Sequence, residues 1–304
     1  MFGTPDHHII KGHAAEISYY EWGPKNVRPI LLLHATGFHA RVWDRTIAHL
    51  GEGFRVIAVD LRGHGLSGKT GIIKSWEEPA GDVAELIERL KLTHIVAAGH
   101  SMGGHVATQV VLMFPERFDG LVLLDPVMFR PETYEADPYG AVGSVREHPV
   151  ARRRNKWANW QELYRRLENQ HPYSLWQQSV LEDYCRFGVL PAADGVEMEL
   201  ACPPATEASI YIASARVNLL PRLEGVTCPV TILRAKGRDA ETPEGFDFAI
   251  SPTWPGLAAA FPRGTDIYLP QLTHFIPMQD PALVASTIIS ASEHGATLEG
   301  ATHD

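Results

Sequence analysis

Ile95-Val96-Ala97-Ala98-Gly99-His100-Ser101-Met102-Gly103-Gly104 decides how the rest of the chain is read. A short apolar run, the signature of a buried strand, passes straight into Gly-x-Ser-x-Gly. A helical stretch follows from Gly103 to Phe114, with Val106, Val110 and Phe114 on one face and Pro115 ending it. Ser101 therefore sits on a sharp strand-to-helix turn. The glycines flank it because such a turn leaves no room for side chains. The hydroxyl is lifted above the C-terminal edge of a sheet, where the N-terminal amides and positive dipole end of the helix also aim.

Working outward, strands alternate with helices. Glu16–Trp22 reads as an early strand, Pro29–Leu33 as a strand buried on both faces, Arg41–Leu50 as a helix, and Phe54–Val59 as the next strand. The Gly-rich turn Asp60-Leu61-Arg62-Gly63-His64-Gly65-Leu66-Ser67-Gly68 follows. Val83, Leu86, Ile87 and Leu90 form the apolar stripe of a helix over Asp82–Leu90, and Gly120–Leu124 is another buried strand. The pattern breaks after Asp125-Pro126. It resumes with strands at Pro229–Leu233 and Asp266–Leu269 and a last helix from Pro281, with a frayed tail expected after Gly295. The intervening stretch is rich in Arg, Trp, Tyr and Pro, and Trp157, Trp160, Tyr164 and Leu167 suggest a helical stripe. The expectation is an α/β fold: a mostly parallel sheet flanked by helices, built from residues 1–129 and 223–304, with a helical cap inserted at 130–222.

Composition narrows the function classes. The 304 residues carry 27 basic and 36 acidic side chains, a net charge of −9, which argues against nucleic acid as the main partner. Cys185, Cys202 and Cys228 form no CxxC pair, which fits a reducing compartment and a cytoplasmic location. The start lacks a basic region followed by an apolar run, so no signal peptide is expected. No apolar stretch approaches the roughly 20 residues of a membrane span, so no membrane partner is expected either. A small-molecule substrate is the partner this leaves. Oligomeric state stays open.

A serine hydroxyl is a poor nucleophile without a base. Fifteen histidines are present, so position must choose among them. The base is expected on a loop after the last strand, which selects His274 in Leu269-Pro270-Gln271-Leu272-Thr273-His274-Phe275. His34, His64 and His100 lie inside motifs and read as structural or pocket-lining. His7, His8 and His13 read as surface residues, and His294 and His303 as solvated. No metal-ligand spacing such as His-Glu-x-x-His occurs, so neither a metal nor another cofactor is inferred. An oxyanion hole needs two backbone N–H groups. Met102, directly after the nucleophile, supplies one; Thr36, or in second place Ala35, supplies the other from the loop His34-Ala35-Thr36-Gly37-Phe38.

These pieces together resemble the α/β-hydrolase superfamily, in its capped esterase- and lipase-like branch. The resemblance rests on His34-Ala35-Thr36-Gly37-Phe38, Asp60-Leu61-Arg62-Gly63-His64-Gly65-Leu66-Ser67, Gly99-His100-Ser101-Met102-Gly103-Gly104 and Thr273-His274-Phe275. It spans about residues 16 to 290 apart from the cap. Two departures stand out. Ala35 replaces the glycine usual after the loop histidine. The Gly-x-x-Asp that usually follows the strand placed at Pro229–Leu233 is here Gly237-Arg238-Asp239, one residue short. Asp239 is the first choice for the carboxylate behind the histidine, Asp125 the second and Asp247 the third.

The resemblance implies acyl transfer. Serine at the elbow disfavours the epoxide-hydrolase and haloalkane-dehalogenase branches, which carry aspartate there. An acyl-enzyme on Ser101 fits carboxylic esters, lactones and thioesters. Two alternatives stay open: a carbon–carbon hydrolase of a diketone or ring-fission product, which usually has Trp where Phe275 stands, and a non-catalytic small-molecule receptor. Phe38, Met128, Phe129 and Phe275, with Met102, are expected around an apolar acyl pocket. Arg152, Arg153, Arg154, Lys156, Arg165 and Arg166 make the cap locally basic and read as a solvated face.

Overall fold

The structure, a computed structural model, describes residues 3–136, 144–193, 195–214, 216–239 and 247–299. Eight strands form one sheet: β1 (Asp6–Lys11), β2 (Glu16–Trp22), β3 (Pro29–Leu33), β4 (Arg55–Asp60), β5 (Ile95–His100), β6 (Phe118–Leu124) and two later strands, Val230–Ala235 and Gly264–Leu269. Three short strands precede those last two in the chain, β7 (Lys156–Trp157), β8 (Val189–Pro191) and β9 (Met198–Leu200), so the last two are β10 and β11. The large sheet runs β1-β2-β4-β3-β5-β6-β10-β11. β1 and β2 pair antiparallel, β2 joins β4 antiparallel, and every later pairing is parallel.

The continuous apolar runs are two interleaved faces. Leu31, Leu33, Ile57, Val59, Ala97, Leu121 and Leu123 pack with one cluster; Ile30, Leu32, Val56, Ala58, Ala98, Val122 and Leu124 pack with the other. Side chains alternate along a strand, so a strand covered on both sides must be apolar at every position. Helices α1 (Asp44–Leu50), α2 (Glu77–Leu90) and α3 (Met102–Met113) belong to the first half of the chain. Val83, Leu86 and Ile87 of α2 and Val106 and Val110 of α3 cover the first face. Ile47 and Leu50 of α1 cover the second, beside Val284, Ala285 and Ile288 of the final helix. Each such buried Val, Leu or Ile side chain is worth about 2 kcal/mol in removed apolar surface.

Between β6 and β10 the chain leaves the sheet. It forms α4 (Pro131–Ala136), α5 (Trp160–Leu167), α6 (Gln178–Phe187) and α7 (Pro204–Ile212), together with the antiparallel sheet β7-β9-β8. The insert is therefore not purely helical. Trp157, expected on a helical stripe with Trp160 and Tyr164, lies instead in β7, where it is buried under the Arg154 guanidinium, 4.1 Å above its ring. Of the basic cluster, Arg152, Arg154, Lys156, Arg165 and Arg166 are exposed, as a solvated face requires, and Arg153 is half-buried. Arg154 pairs with Glu162 at 2.7 Å, Lys156 with Glu197 at 3.1 Å, and Arg153 with the buried Glu207 at 2.6 Å.

After β11 come α8 (Ile276–Gln279) and α9 (Pro281–Glu299). The final helix thus continues past Gly295, while His303 lies outside the described residues, as do the side-chain surroundings of His294. Among the described residues no helix is long and apolar enough to cross a membrane.

Candidate active site

Ser101 stands between the last residue of β5 and the first of α3 with φ 57° and ψ −118°, a conformation that costs a non-glycine residue about 1–3 kcal/mol. The surrounding sequence holds it there. A Cβ on Gly99 would run into the Gly103 carbonyl, and one on Gly103 would run into the carbonyl of Leu33. The Ser101 amide donates to Leu124 O at 3.1 Å, and its carbonyl accepts from Gly104, His105 and Val127. The strain is thus fixed by the backbone of two neighbouring strands and a helix start.

The sheet register decides which carboxylate is level with Ser101. His100 pairs with Leu124 across β5 and β6, so Ser101 and Asp125 leave the sheet side by side. Asp125, at φ 46°, is fully buried. Its Oδ1 accepts from the Ala235 amide at 2.9 Å and from Ser251 Oγ at 2.7 Å, which leaves Oδ2 for the His274 ring. His274 Nδ1 donates to that oxygen at 2.6 Å, and Nε2 accepts from Ser101 Oγ at 2.9 Å. Such an imidazole can take a proton from the hydroxyl while the carboxylate stabilises the cation that forms.

His274 is itself held at both ends of its backbone unit. Its amide donates to Ala249 O at 2.8 Å, and its carbonyl accepts from His100 Nε2 at 2.8 Å. Burial pushes the His100 ring well below the ordinary histidine range, so it stays neutral while bracing the loop.

The first choice of carboxylate needs correcting. Asp239 lies four residues beyond β10 and is held by Lys236 at 2.8 Å, whereas the ring partner is Asp125. Asp247, the third choice, accepts from Ala249 N at 2.8 Å and faces His171 at 3.3 Å.

The loop carrying Thr36 is fastened by two neutral histidines. His34 Nε2 accepts from Leu61 N and His64 Nε2 accepts from Gly37 N, each at 3.0 Å. Their other nitrogens donate to the carbonyls of Ala35 and Arg62. Protonation would destroy both acceptor roles. Burial lowers the two pKa values, that of His64 to about 3. Thr36 Oγ1 also donates to Met102 Sδ at 3.5 Å, so the residues carrying the two expected oxyanion amides touch. As the first residue of α3, Met102 has an amide with no intrahelical acceptor.

Ser101, His274 and Thr36 open on a cavity of about 110 Å³, walled in part by Phe38, Phe129 and Phe275. Met128 does not join them. It is fully buried in the core on the α3 side of the sheet. Trp76, Tyr211, Ser214 and Phe248 also line the cavity. They come from the segment before α2, from the insert and from the loop before β11, and no local motif marks them. Ser251, which fixes Asp125, is equally unmarked.

The alpha/beta hydrolase family model matches residues 30–287. A serine hydrolase-like protein of Danio rerio is 26% identical over 289 residues, covering 88% of this chain and 82% of its own. Among solved structures, E-2-(acetamidomethylene)succinate hydrolase superposes with a TM-score of 0.74 at 21% identity, covering 95% of this chain and 99% of that one. A thermophilic esterase from Thermogutta terrifontis gives a TM-score of 0.66 at 25% identity, with coverage of 95% and 99%. With the family model spanning the chain from β3 into the last helix and including Ser101, Asp125 and His274, the chain belongs to the alpha/beta hydrolase family.

Proposed function

We propose that the chain is a serine hydrolase that cleaves a carboxylic ester or lactone through an acyl-enzyme. The observation carrying this reading is the continuous line from Ser101 Oγ through both nitrogens of His274 to Asp125 Oδ2, opening on a largely apolar cavity.

In this mechanism His274 Nε2 takes the Ser101 proton as Oγ attacks the acyl carbon. The tetrahedral oxyanion accepts hydrogen bonds from the Thr36 and Met102 amides, and loss of one such donor costs about 3 kcal/mol of barrier lowering. The imidazolium then hands its proton to the departing alkoxide. Water, deprotonated by the same ring, attacks the ester on Ser101 and releases the carboxylic acid. Asp125 holds the Nδ1–H tautomer and offsets the charge on the ring. Phe38, Phe129 and Phe275 offer apolar contact to the substrate. The esterase of Thermogutta terrifontis supports an ester among the acyl compounds this chemistry admits.

The test is turnover of p-nitrophenyl acetate and butyrate by the native protein and by Ser101→Ala. Release of p-nitrophenol that disappears in the variant is expected. Undiminished turnover in the variant would refute the nucleophile. Preferential cleavage of a vinylogous 1,5-diketone by the native protein would move the reading to carbon–carbon hydrolysis.

A further inference from the structure

The cavity has a closed end and an open end, and the residues lining it reveal which is which. Trp76 is 1% exposed and Ser214 4% exposed, although both line the cavity, so among the described residues they belong to its buried end. Phe129 and Phe248 are half-buried and Asp247 is exposed; these mark the mouth. Ser101 and His274 lie within the same cavity. Its volume, about 110 Å³, is well under the roughly 300–1,000 Å³ of pockets that enclose drug-sized ligands.

Trp76 is fixed as a wall. Its Nε1–H donates to the Ile210 carbonyl of α7 at 2.9 Å, and its own carbonyl accepts from Gln109 Nε2 at 3.0 Å. The His105 ring meets it edge-on at 4.9 Å between centroids. His105 is held in turn by Val217 O at 3.0 Å and by Gln109 at 3.1 Å. An indole tied at Nε1 to α7 and packed edge-on against a braced ring resists swinging aside to lengthen the cavity.

The order of bond breaking assigns the two ends. The alcohol leaves first and needs a path to water, whereas the acyl group stays bonded to Ser101 until hydrolysis. The leaving group therefore sits toward Phe129, Asp247 and Phe248, and the acyl chain toward Trp76. We infer that Trp76 is the stop that limits the acyl group to a short chain, acetyl to butyryl, making the substrate a short-chain acyl ester. This rests on the esterase reading above and deepens it.

The experiment measures kcat/KM for p-nitrophenyl acetate, butyrate, hexanoate and octanoate with the native protein, Trp76→Ala and Trp76→Leu. In parallel, mass spectrometry follows labelling of Ser101 by methyl- and octylphosphonate p-nitrophenyl esters. Native kcat/KM should fall at least tenfold from butyrate to octanoate, and methylphosphonate should label Ser101 faster than octylphosphonate. Either Trp76 variant should raise the octanoate-to-butyrate ratio at least tenfold. A native profile that is flat or rises to octanoate overturns the inference whatever the variants do. A falling native profile with an unchanged ratio in a variant that still labels at Ser101 overturns it as well. If both variants lose methylphosphonate labelling through misfolding, the native chain-length profile and labelling rates decide. Absence of any ester turnover and any Ser101 labelling in the native protein overturns the esterase reading instead.

Discussion

Asp125 and His274 are 149 positions apart in the chain, yet their side chains meet at 2.6 Å. The contact is set by strand register. β6 lies beside β5, so the residue after β6 emerges next to the residue after β5, and the histidine loop only has to reach over both. Oδ1 of the same carboxylate is already committed to Ala235 and Ser251, so Oδ2 has one orientation to offer.

Replacing Asp125 by Asn should therefore damage turnover far more than its small change in shape suggests. An amide cannot hold the Nδ1–H tautomer with a full negative charge. We expect kcat on p-nitrophenyl butyrate to fall about 10⁴-fold with little change in KM. Asp239→Asn, which alters the Lys236 pair and leaves the His274 ring partner in place, should stay within about twofold of the native rate. The opposite ranking would sink the assignment of Asp125.

Gly103→Ala should be nearly as harmful, though it removes no chemical group. The added methyl would occupy the space of the Leu33 carbonyl, so the start of α3 must move away from the end of β3. That displaces the Met102 amide relative to the Thr36 loop. A shift of about 1 Å in a positioned group costs on the order of 100-fold in rate. Native-like kcat in a folded Gly103→Ala protein would show that the close approach is not needed.

Much of the fold was legible because the relevant signals are local. The buried runs at Pro29–Leu33 and Ile95–Ala98, the glycine spacing around Ser101 and the loop position of His274 all sit within short windows. Element ends were less legible. α2 begins at Glu77 rather than Asp82, since its first turn lacks the apolar stripe that marks the rest. β1 was missed because its DHHIIK sequence is an exposed edge with little apolar content. The carboxylate was misassigned because the choice between Asp125 and Asp239 depends on which strands lie side by side. The place of Asp125 at the end of the strand before the insert was the available hint. Trp76, Ser214 and Ser251 reach the site through tertiary packing, which no window of sequence displays.

Stability should fall on the acid side of neutrality because histidines are buried as neutral rings. Burial lowers His64 to about 3 and His105 to about 4, and lowers His34 and His100 well below their usual range. The unfolded chain binds protons to these rings below about pH 6.5, while the folded chain does not. Their contribution is thus complete above that pH and is lost as pH falls toward the folded values. For His105 alone the loss between pH 7 and pH 5 is about 2 kcal/mol. Buried Glu207, whose carboxyl is raised by desolvation, acts in the opposite direction, so a variant is needed to isolate the histidine. Urea unfolding at the two pH values should show His105→Asn losing about 2 kcal/mol less than the native protein. Equal losses in the two proteins would remove His105 from the account.

The insert also reaches the loop that carries Thr36 through a charged pair. Glu207 of α7 is 4% exposed and accepts from Arg153 Nη1 at 2.6 Å. A Cβ built on Gly37, at φ +79°, would lie 2.6 Å from Glu207 Oε1, so this carboxylate packs directly against the loop that carries Thr36. Glu207→Ala would leave the Arg153 charge without its partner and open a void beside Gly37. Breaking a fully buried pair costs about 3–5 kcal/mol. The Arg153 side chain keeps 26% of its exposure, so a loss of about 1–3 kcal/mol is the expectation here. The kinetic consequence distinguishes a brace for the loop from simple cap stability. If Glu207 braces the loop, Glu207→Ala should lower kcat about tenfold at a temperature where the variant is fully folded. Glu207→Gln, which keeps the volume against Gly37, should restore most of that rate. Equal kcat in the native protein and folded Glu207→Ala would confine the pair to a stabilising role in the insert.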